Sequence, residues 1–386
     1  MGLSRRFQNL IVDSSYAGAQ WLRSIDLTRH LFGNTAAAAP AADSYNPKNK
    51  RGLRIQMERI RFPRPMLRLK CTYMPYHQRN IDCFPLADRK VVMVDHTGIT
   101  RLCDVDARSV MAMPNIHKPK SDPISLFVPS SSGGGSLYVM ERYPDPEDGT
   151  QLRYSNQFEA FVWGKSSCHC HLLPPPPFVH FNSIFTLVVG ARDPAAPMLD
   201  PPTGTTGRPK ITSYACVVGS DIYISTRGNG SYCLDTEMNT WLQLAKEMPL
   251  PFFSGKLEYV PELKLWFGLS AEPSRRLLAA ADLISSDSQP QLIGDWNEFA
   301  PPEGWLEYQE PQLVNLGSAR FCISRFFHIR SMDNDNEVID SVVVFTGVEV
   351  MPVGHNGDGN GKVKLRMEKH KSRCCVSGST MICSIF

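Results

Sequence analysis

At 386 residues the chain can bury a large core, since a chain of about 300 residues hides roughly 75% of its unfolded surface. Hydrophobic residues at 42% and charged residues at 20% suit a soluble globular protein, and a net charge of +3 gives no electrostatic case for nucleic acid as a partner. Eleven cysteines without framework spacing, no signal-peptide pattern at "MGLSRRFQNLIVDSSYAG" and no apolar run longer than "SIFTLVV" point to free thiols in the cytoplasm or nucleus, and to no membrane.

The chain opens on two short apolar runs, "RFQNLIVD" and "QWLRSID", the second closed by Asp26, with "ERIRF" as a third strand. Within this first group, residues 33–52 are low in complexity and read as a loop. A second group runs from Asn80 to Pro114: "RKVVMVDHTGITRLCD" is two runs about a DHTG turn, closed by Asp104, and "SVMAMP" is an outer strand. A third group, Ile124 to Pro174, uses "ISLFVP", "SLYVMERY", "QFEAFVWG" and "CHCHLLP". Residues 190–210 read as a long surface loop.

In the fourth group, Ile211 to Leu244, "DIYIS" alternates with period two, RGNG supplies a turn tolerant of positive φ, and "SYCLD" ends on Asp235. Trp241 then opens the outer strand. The fifth group, Lys256 to Phe299, closes a strand on Asp282 and takes "DWNEF" as its outer strand. The sixth uses "QLVNL", "RFCISRFFHI", "SVVVFTGVEV" and the basic "KVKLRMEKHK". The recurring Asp has a mechanical reading: its carboxylate accepts backbone N–H groups where the chain leaves a strand.

Four-stranded antiparallel units recurring with irregular loops predict an all-β fold, one β-propeller domain over residues 1–386 with six blades. The final "TMICSIF" completes the first blade, so that strands from both ends of the chain close the ring and remove open edges. The opening "RRFQNLIVD…WLRSIDLTRHLF", "FTGVEV" and "LRMEKHKSRC" resemble a grass-expanded plant family of uncharacterised proteins with kelch-like repeats. The resemblance extends over nearly the whole chain. It implies a kelch-like propeller and carries no catalytic residues to transfer.

"CHCH" is the most metal-like stretch, because thiolate and imidazole suit zinc or copper. On a strand, Cys168 and Cys170 face one way and His169 and His171 the other, which leaves two ligands per face and predicts no metal or cofactor. "CSIF" fits a prenylation pattern at Cys383, in competition with the closing strand. The basic run alternates Lys362, Lys364, Arg366 and Glu368 with Val363, Leu365, Met367 and Lys369, as a solvated outer strand does. Phosphate-loop, calcium-loop and nucleophile-elbow look-alikes each lack a required residue.

In a propeller, turns between second and third strands share a rim with the connections between blades. The polar residues placed there are Tyr16, His96, Asp145, Glu147, Arg227, Asn229, Arg275, Asp333 and Asp335. Mixed charge on that rim suits an unknown protein partner, and the expectation is a non-catalytic interaction scaffold. A ubiquitin-ligase adaptor role, which the resemblance suggests, would need a partner to supply the adaptor module. The alternative is an enzyme or small-molecule binder at the central channel, with copper-oxidase chemistry using His96 and Tyr16.

Overall fold

The structure is a computed structural model describing residues 7–14, 19–33, 57–61, 63–70, 81–86, 89–130, 134–147, 154–164, 167–179, 209–216, 221–226, 229–244, 253–272, 277–283, 291–330, 338–353, 364–376 and 380–385. Both low-complexity loops fall almost wholly outside these residues.

The fold is all-β. Strands β1 (Phe7–Ser14), β2 (Ala19–Asp26) and β3 (Leu67–Lys70) come first. A sheet of β4 (Asp82–Pro85), β5 (Lys90–Val94), β6 (Thr100–Asp104) and β7 (Ser109–Ala112) comes next, in sequential order. It is succeeded by β8 (Pro123–Pro129), β9 (Gly135–Glu141), β10 (Ser155–Trp163) and β11 (Cys168–Leu173), again in order. An eight-stranded sheet combines two meanders. The first is β12 (Ile211–Cys216), β13 (Ile222–Thr226), β14 (Gly230–Asp235) and β15 (Thr240–Gln243). The second is β16 (Phe253–Val260), β17 (Leu265–Ser270), β18 (Leu278–Asp282) and β19 (Gln291–Trp296). They join where Ser213 and Tyr214 of β12 pair in parallel with Gly255 and Lys256 of β16. The last meander has the longest strands: β20 (Trp305–Gly317), β21 (Arg320–Arg330), β22 (Val338–Pro352) and β23 (Leu365–Val376). Finally β24 (Thr380–Ile385) returns to β1, giving the order β24-β1-β2-β3.

The recurring Asp does what its chemistry suggests. Asp104 Oδ1 accepts the N–H groups of Asp106 (3.1 Å) and Ala107 (2.9 Å), and Asp235 Oδ1 those of Glu237 (2.9 Å) and Met238 (2.8 Å). Four residues after each Asp the chain turns through positive φ, at Arg108 (51°) and Asn239 (53°), before the outer strand begins. Trp241, the second residue of β15, donates its indole N–H to Pro174 O at 2.8 Å, tying one meander to the connection that leaves the previous one.

The chain divides into two compact units, residues 80–257 with 287–290, and residues 1–79, 258–286 and 291–386. In the first, the β8–β11 sheet is buried on both faces. Leu137, Val139 and Phe161 pack with Phe84, Val92, Val94 and Leu102 of the preceding sheet. Their strand neighbours Tyr138, Met140, Phe158 and Ala160 pack with Ile222, Ile224, Tyr232 and Leu234 of the next. This is the period-two alternation of a sandwiched strand. In the second unit, Phe267 meets Phe321 with ring centroids 5.1 Å apart, and Leu10, Val12 and Ile382 join Val343 and Phe345 in one core.

Two strand assignments are corrected. "ERIRF" is not the third strand of the first sheet: β3 is, pairing Leu22 with Leu67 through Ala19 with Lys70. Residues 58–60 instead run along the outer edge of β23, with Ile60 N–H on Cys374 O (2.8 Å) and Cys374 N–H on Glu58 O (3.2 Å). They satisfy an edge that would otherwise be open. "DWNEF" is likewise only partly an outer strand, because β19 ends at Trp296. Asn297 Oδ1 accepts the Phe299 N–H at 3.1 Å, which turns the chain and buries Glu298 and Phe299. In β23 a register shift opposite Thr346 and Val348 breaks the alternation expected of the basic run. Leu365 and Met367 pack inward, while Lys369 lies over the Phe299 ring at 5.9 Å.

Candidate functional site

Among the described residues, a buried charged cluster forms where the connection between β7 and β8 meets the sheet β8–β11. Ile116 anchors this connection: its N–H donates to Gly98 O and Thr100 Oγ1, both at 3.2 Å, and its side chain is buried. Beyond it, residues 117–122 lie over two carboxylates that the strands place on a core face. Glu141, ending β9, accepts the Ser121 N–H (3.1 Å), the Asp122 N–H (3.1 Å) and the Ser121 hydroxyl (2.7 Å). Glu159, in the middle of β10, shares its face with Phe161 and is wholly buried.

Each Glu159 oxygen has its own partners. Oε1 accepts Lys120 Nζ at 2.5 Å and the Lys118 N–H at 3.3 Å. Lys120 is itself buried, its side chain 1% exposed, and spends its other donors on Lys118 O (2.7 Å) and Asn156 O (2.9 Å). Oε2 accepts the His117 N–H at 2.8 Å and lies 2.6 Å from His117 Nδ1 and 3.3 Å from Cys170 Sγ. Cys170 Sγ and His117 Nδ1 are 3.9 Å apart. His117, Glu159 and Cys170 thus bring one nitrogen, one oxygen and one sulfur within 4.8 Å of one another.

Burial by itself would raise the Glu159 carboxyl, but Lys120 and the bonds from His117 outweigh it and hold the group below its ordinary range. Burial, then the Glu159 charge, push the Cys170 thiol far up, so it is a thiol and not a thiolate when no cation is bound. Nearby, burial and the charges of Glu141 and Asp122 push Asp82 up to about 7.

Cys168 and Cys170 are half-buried against the core while His169 and His171 are exposed, with their rings 6.1 Å apart. The sheet therefore brings one of the four CHCH side chains, Cys170, to the cluster. Glu159 and His117 are the partners that sequence reasoning missed. The available signal was a lone acid inside the apolar "QFEAFVW".

Of the rim residues, Tyr16, Arg227, Arg275, Asp333 and Asp335 lie outside the described residues. His96 sits in the β5–β6 turn, where Asp95 Oδ1 accepts the N–H groups of Thr97 (3.0 Å) and Ile99 (3.1 Å). Asp145 and Glu147 are brought together by Gln157: its amide oxygen accepts the Asp145 N–H at 2.6 Å, and its amide nitrogen donates to Asp145 O (3.0 Å) and Glu147 Oε1 (2.6 Å). Asn229 O accepts the Tyr232 hydroxyl at 2.7 Å. Cys383 lies within β24.

Successive four-stranded meanders, with one sheet drawing strands from both chain ends, are the architecture of the β-propeller class. Residues 5–376 match the family described as "Protein of unknown function (DUF1668)", and the chain belongs to it. No curated protein matches the sequence. Among solved structures, the chain is similar to an auxiliary nutrient binding protein from Bacteroides thetaiotaomicron at 10% identity and a TM-score of 0.34, covering 75% of this chain and 61% of that one. It is similar to AztD from Citrobacter koseri at 10% identity and 0.34, covering 95% and 89%. It is also similar to the WD40 domain of SCAP from fission yeast at 10% and 0.33, covering 80% and 67%. This chain thus spans about three fifths of the Bacteroides protein's length. Likenesses this distant say nothing of activity. Among the described residues, no helix is long and apolar enough to cross a membrane.

Proposed function

We propose that the chain is a protein-interaction scaffold: a single kelch-like propeller domain with the six meanders as blades, reading a partner protein through the turns between second and third strands. A cytoplasmic or nuclear setting and a plant source accompany that reading. The observation that supports it is that three of these turns are held by side-chain hydrogen bonds, from Asp95 within its turn, from Gln157 of β10 to Asp145 and Glu147, and from Tyr232 of β14 to Asn229. A surface ordered before contact loses less entropy on binding, so more of its contact energy appears as affinity. Mixed charge in the rim set, acidic at Asp145 and Glu147 and basic at Arg227 and Arg275 by sequence, would supply specificity and faster encounter.

The test is affinity purification of the tagged chain from plant tissue, beside an Arg227→Glu/Arg275→Glu variant whose circular dichroism and melting match the parent. The expected result is a set of partners captured by the parent and lost in the variant. Partners unchanged by the double charge reversal would overturn the rim as the recognition surface.

A further inference from the structure

We propose that His117 Nδ1, Glu159 Oε2 and Cys170 Sγ are three ligands of a divalent transition-metal site, and that zinc is the ion its donor set fits. The inference goes beyond the scaffold reading and stands apart from it.

The geometry is close to a coordination sphere already. Ligands at zinc distances of 2.0–2.3 Å on a tetrahedron lie about 3.2–3.7 Å from one another. Cys170 Sγ is 3.3 Å from Glu159 Oε2 and 3.9 Å from His117 Nδ1, near that spacing as they stand. The 2.6 Å His117–Glu159 separation must open by somewhat more than half an ångström and the 3.9 Å His117–Cys170 separation close by a few tenths, and the His117 side chain, 44% exposed, has room to move.

The carboxylate is presented as a ligand should be. Ligating carboxylates are themselves held by hydrogen bonds from outside the sphere. Here Lys120 and the Lys118 N–H fix Oε1, and the His117 N–H holds Oε2, which faces the imidazole and the thiol. Lys120 has three acceptors and so stays in place whether or not an ion is bound.

The ligands come from three elements, β10, β11 and the connection anchored by Ile116, so the set exists only in the folded chain. A nitrogen, an oxygen and a sulfur donor suit zinc better than magnesium or calcium, which take oxygen ligands. The exposed side of His117 leaves the fourth position open to water, as in zinc sites with three protein ligands. Binding releases the Cys170 thiol proton to solvent, and the imidazole binds through Nδ1 with its proton on Nε2. Cys168 stands opposite Trp163, one step along the sheet, and His169 and His171 are exposed, so none of the three belongs to the set.

The test uses the full chain, stripped with a chelator and dialysed, titrated with cobalt(II) and then zinc. The expected result is one equivalent of cobalt giving a sulfur-to-cobalt charge-transfer band and tetrahedral ligand-field bands, both abolished by one equivalent of zinc. Cys170→Ser and His117→Ala should each weaken zinc binding at least tenfold, with melting of the metal-free variants close to the parent. Cys168→Ser and a His169→Ala/His171→Ala variant should bind like the parent. Absence of the charge-transfer band at one equivalent would overturn the site, as would parental affinity in Cys170→Ser or equal loss in Cys168→Ser.

Discussion

Glu159 and Lys120 have almost no contact with water, and neither charge could be buried alone without several kcal/mol of desolvation cost. Their pairing places the connection 117–122 on the sheet. Glu159→Gln would leave Lys120 charged and unpaired, and should destabilise the chain by about 3 kcal/mol in urea titration. Adding Lys120→Met should recover more than half of that loss. A Glu159→Gln cost below about 1 kcal/mol would show that the pair is not desolvated. Asp82 gives a second expectation, in pH. Its folded pKa of about 7 lies above its ordinary 3.8, so the folded chain holds a proton that the unfolded chain has released. Stability should therefore fall as pH rises from about 4 to 7, with the cost complete above 7. Asp82→Asn should flatten that slope and raise stability at pH 8 by on the order of 2 kcal/mol, read from melting across pH. An unchanged slope would place the titration elsewhere.

At the scale of the element, the turns after Asp104 and Asp235 are one device used twice. A carboxylate takes two N–H groups, and the fourth residue on accepts a left-handed backbone. Asp235→Ala should cost about 1 kcal/mol for the lost bonds. Arg108→Gly should stabilise by about 0.5–1 kcal/mol, because only the side-chain residue is strained at φ 51°. Asn239→Gly should gain less, since Asn tolerates that region better than Arg. Equal gains at the two sites would refute backbone strain as the cause. Gly347 in β22 has a different reason to lack a side chain. An added Cβ would sit 2.9 Å from Phe32 Cζ and 3.1 Å from Leu31 Cβ, where the short helical turn Thr28–Phe32 packs on the sheet. Gly347→Ala should cost about 1–3 kcal/mol by thermal or urea unfolding.

At the scale of the whole molecule, the sheet β24-β1-β2-β3 joins the two ends of the chain. Leu10 pairs with Ile385 and Val12 with Ile382, and Ile385 N–H donates to Gln312 Oε1 at 2.9 Å. Truncation after Val376 would open the β1 edge and remove Ile382 and Ile385 from the core. The expected outcome is aggregated or poorly soluble protein in gel filtration, since an open apolar edge templates pairing with other chains. A monodisperse truncated chain with parental melting would mean that β24 adds nothing to stability.

What the sequence determined by itself was local. Period-two runs became strands, and the Asp after a run became a turn cap. Each depends on chemistry within about ten residues, so composition and spacing suffice. Tertiary structure decided what depends on partners far along the chain. Residues 58–60 read as an ordinary strand, and only the open edge of β23, more than 300 residues on, determined where they pair. "CHCH" read as two ligands per face. Cys170 gained its neighbours because a β-sheet and a core-anchored connection carried Glu159 and His117, 11 and 53 residues away, to the same face. A buried charge shows in sequence only as an acid out of place in an apolar run; which cation answers it is settled by packing.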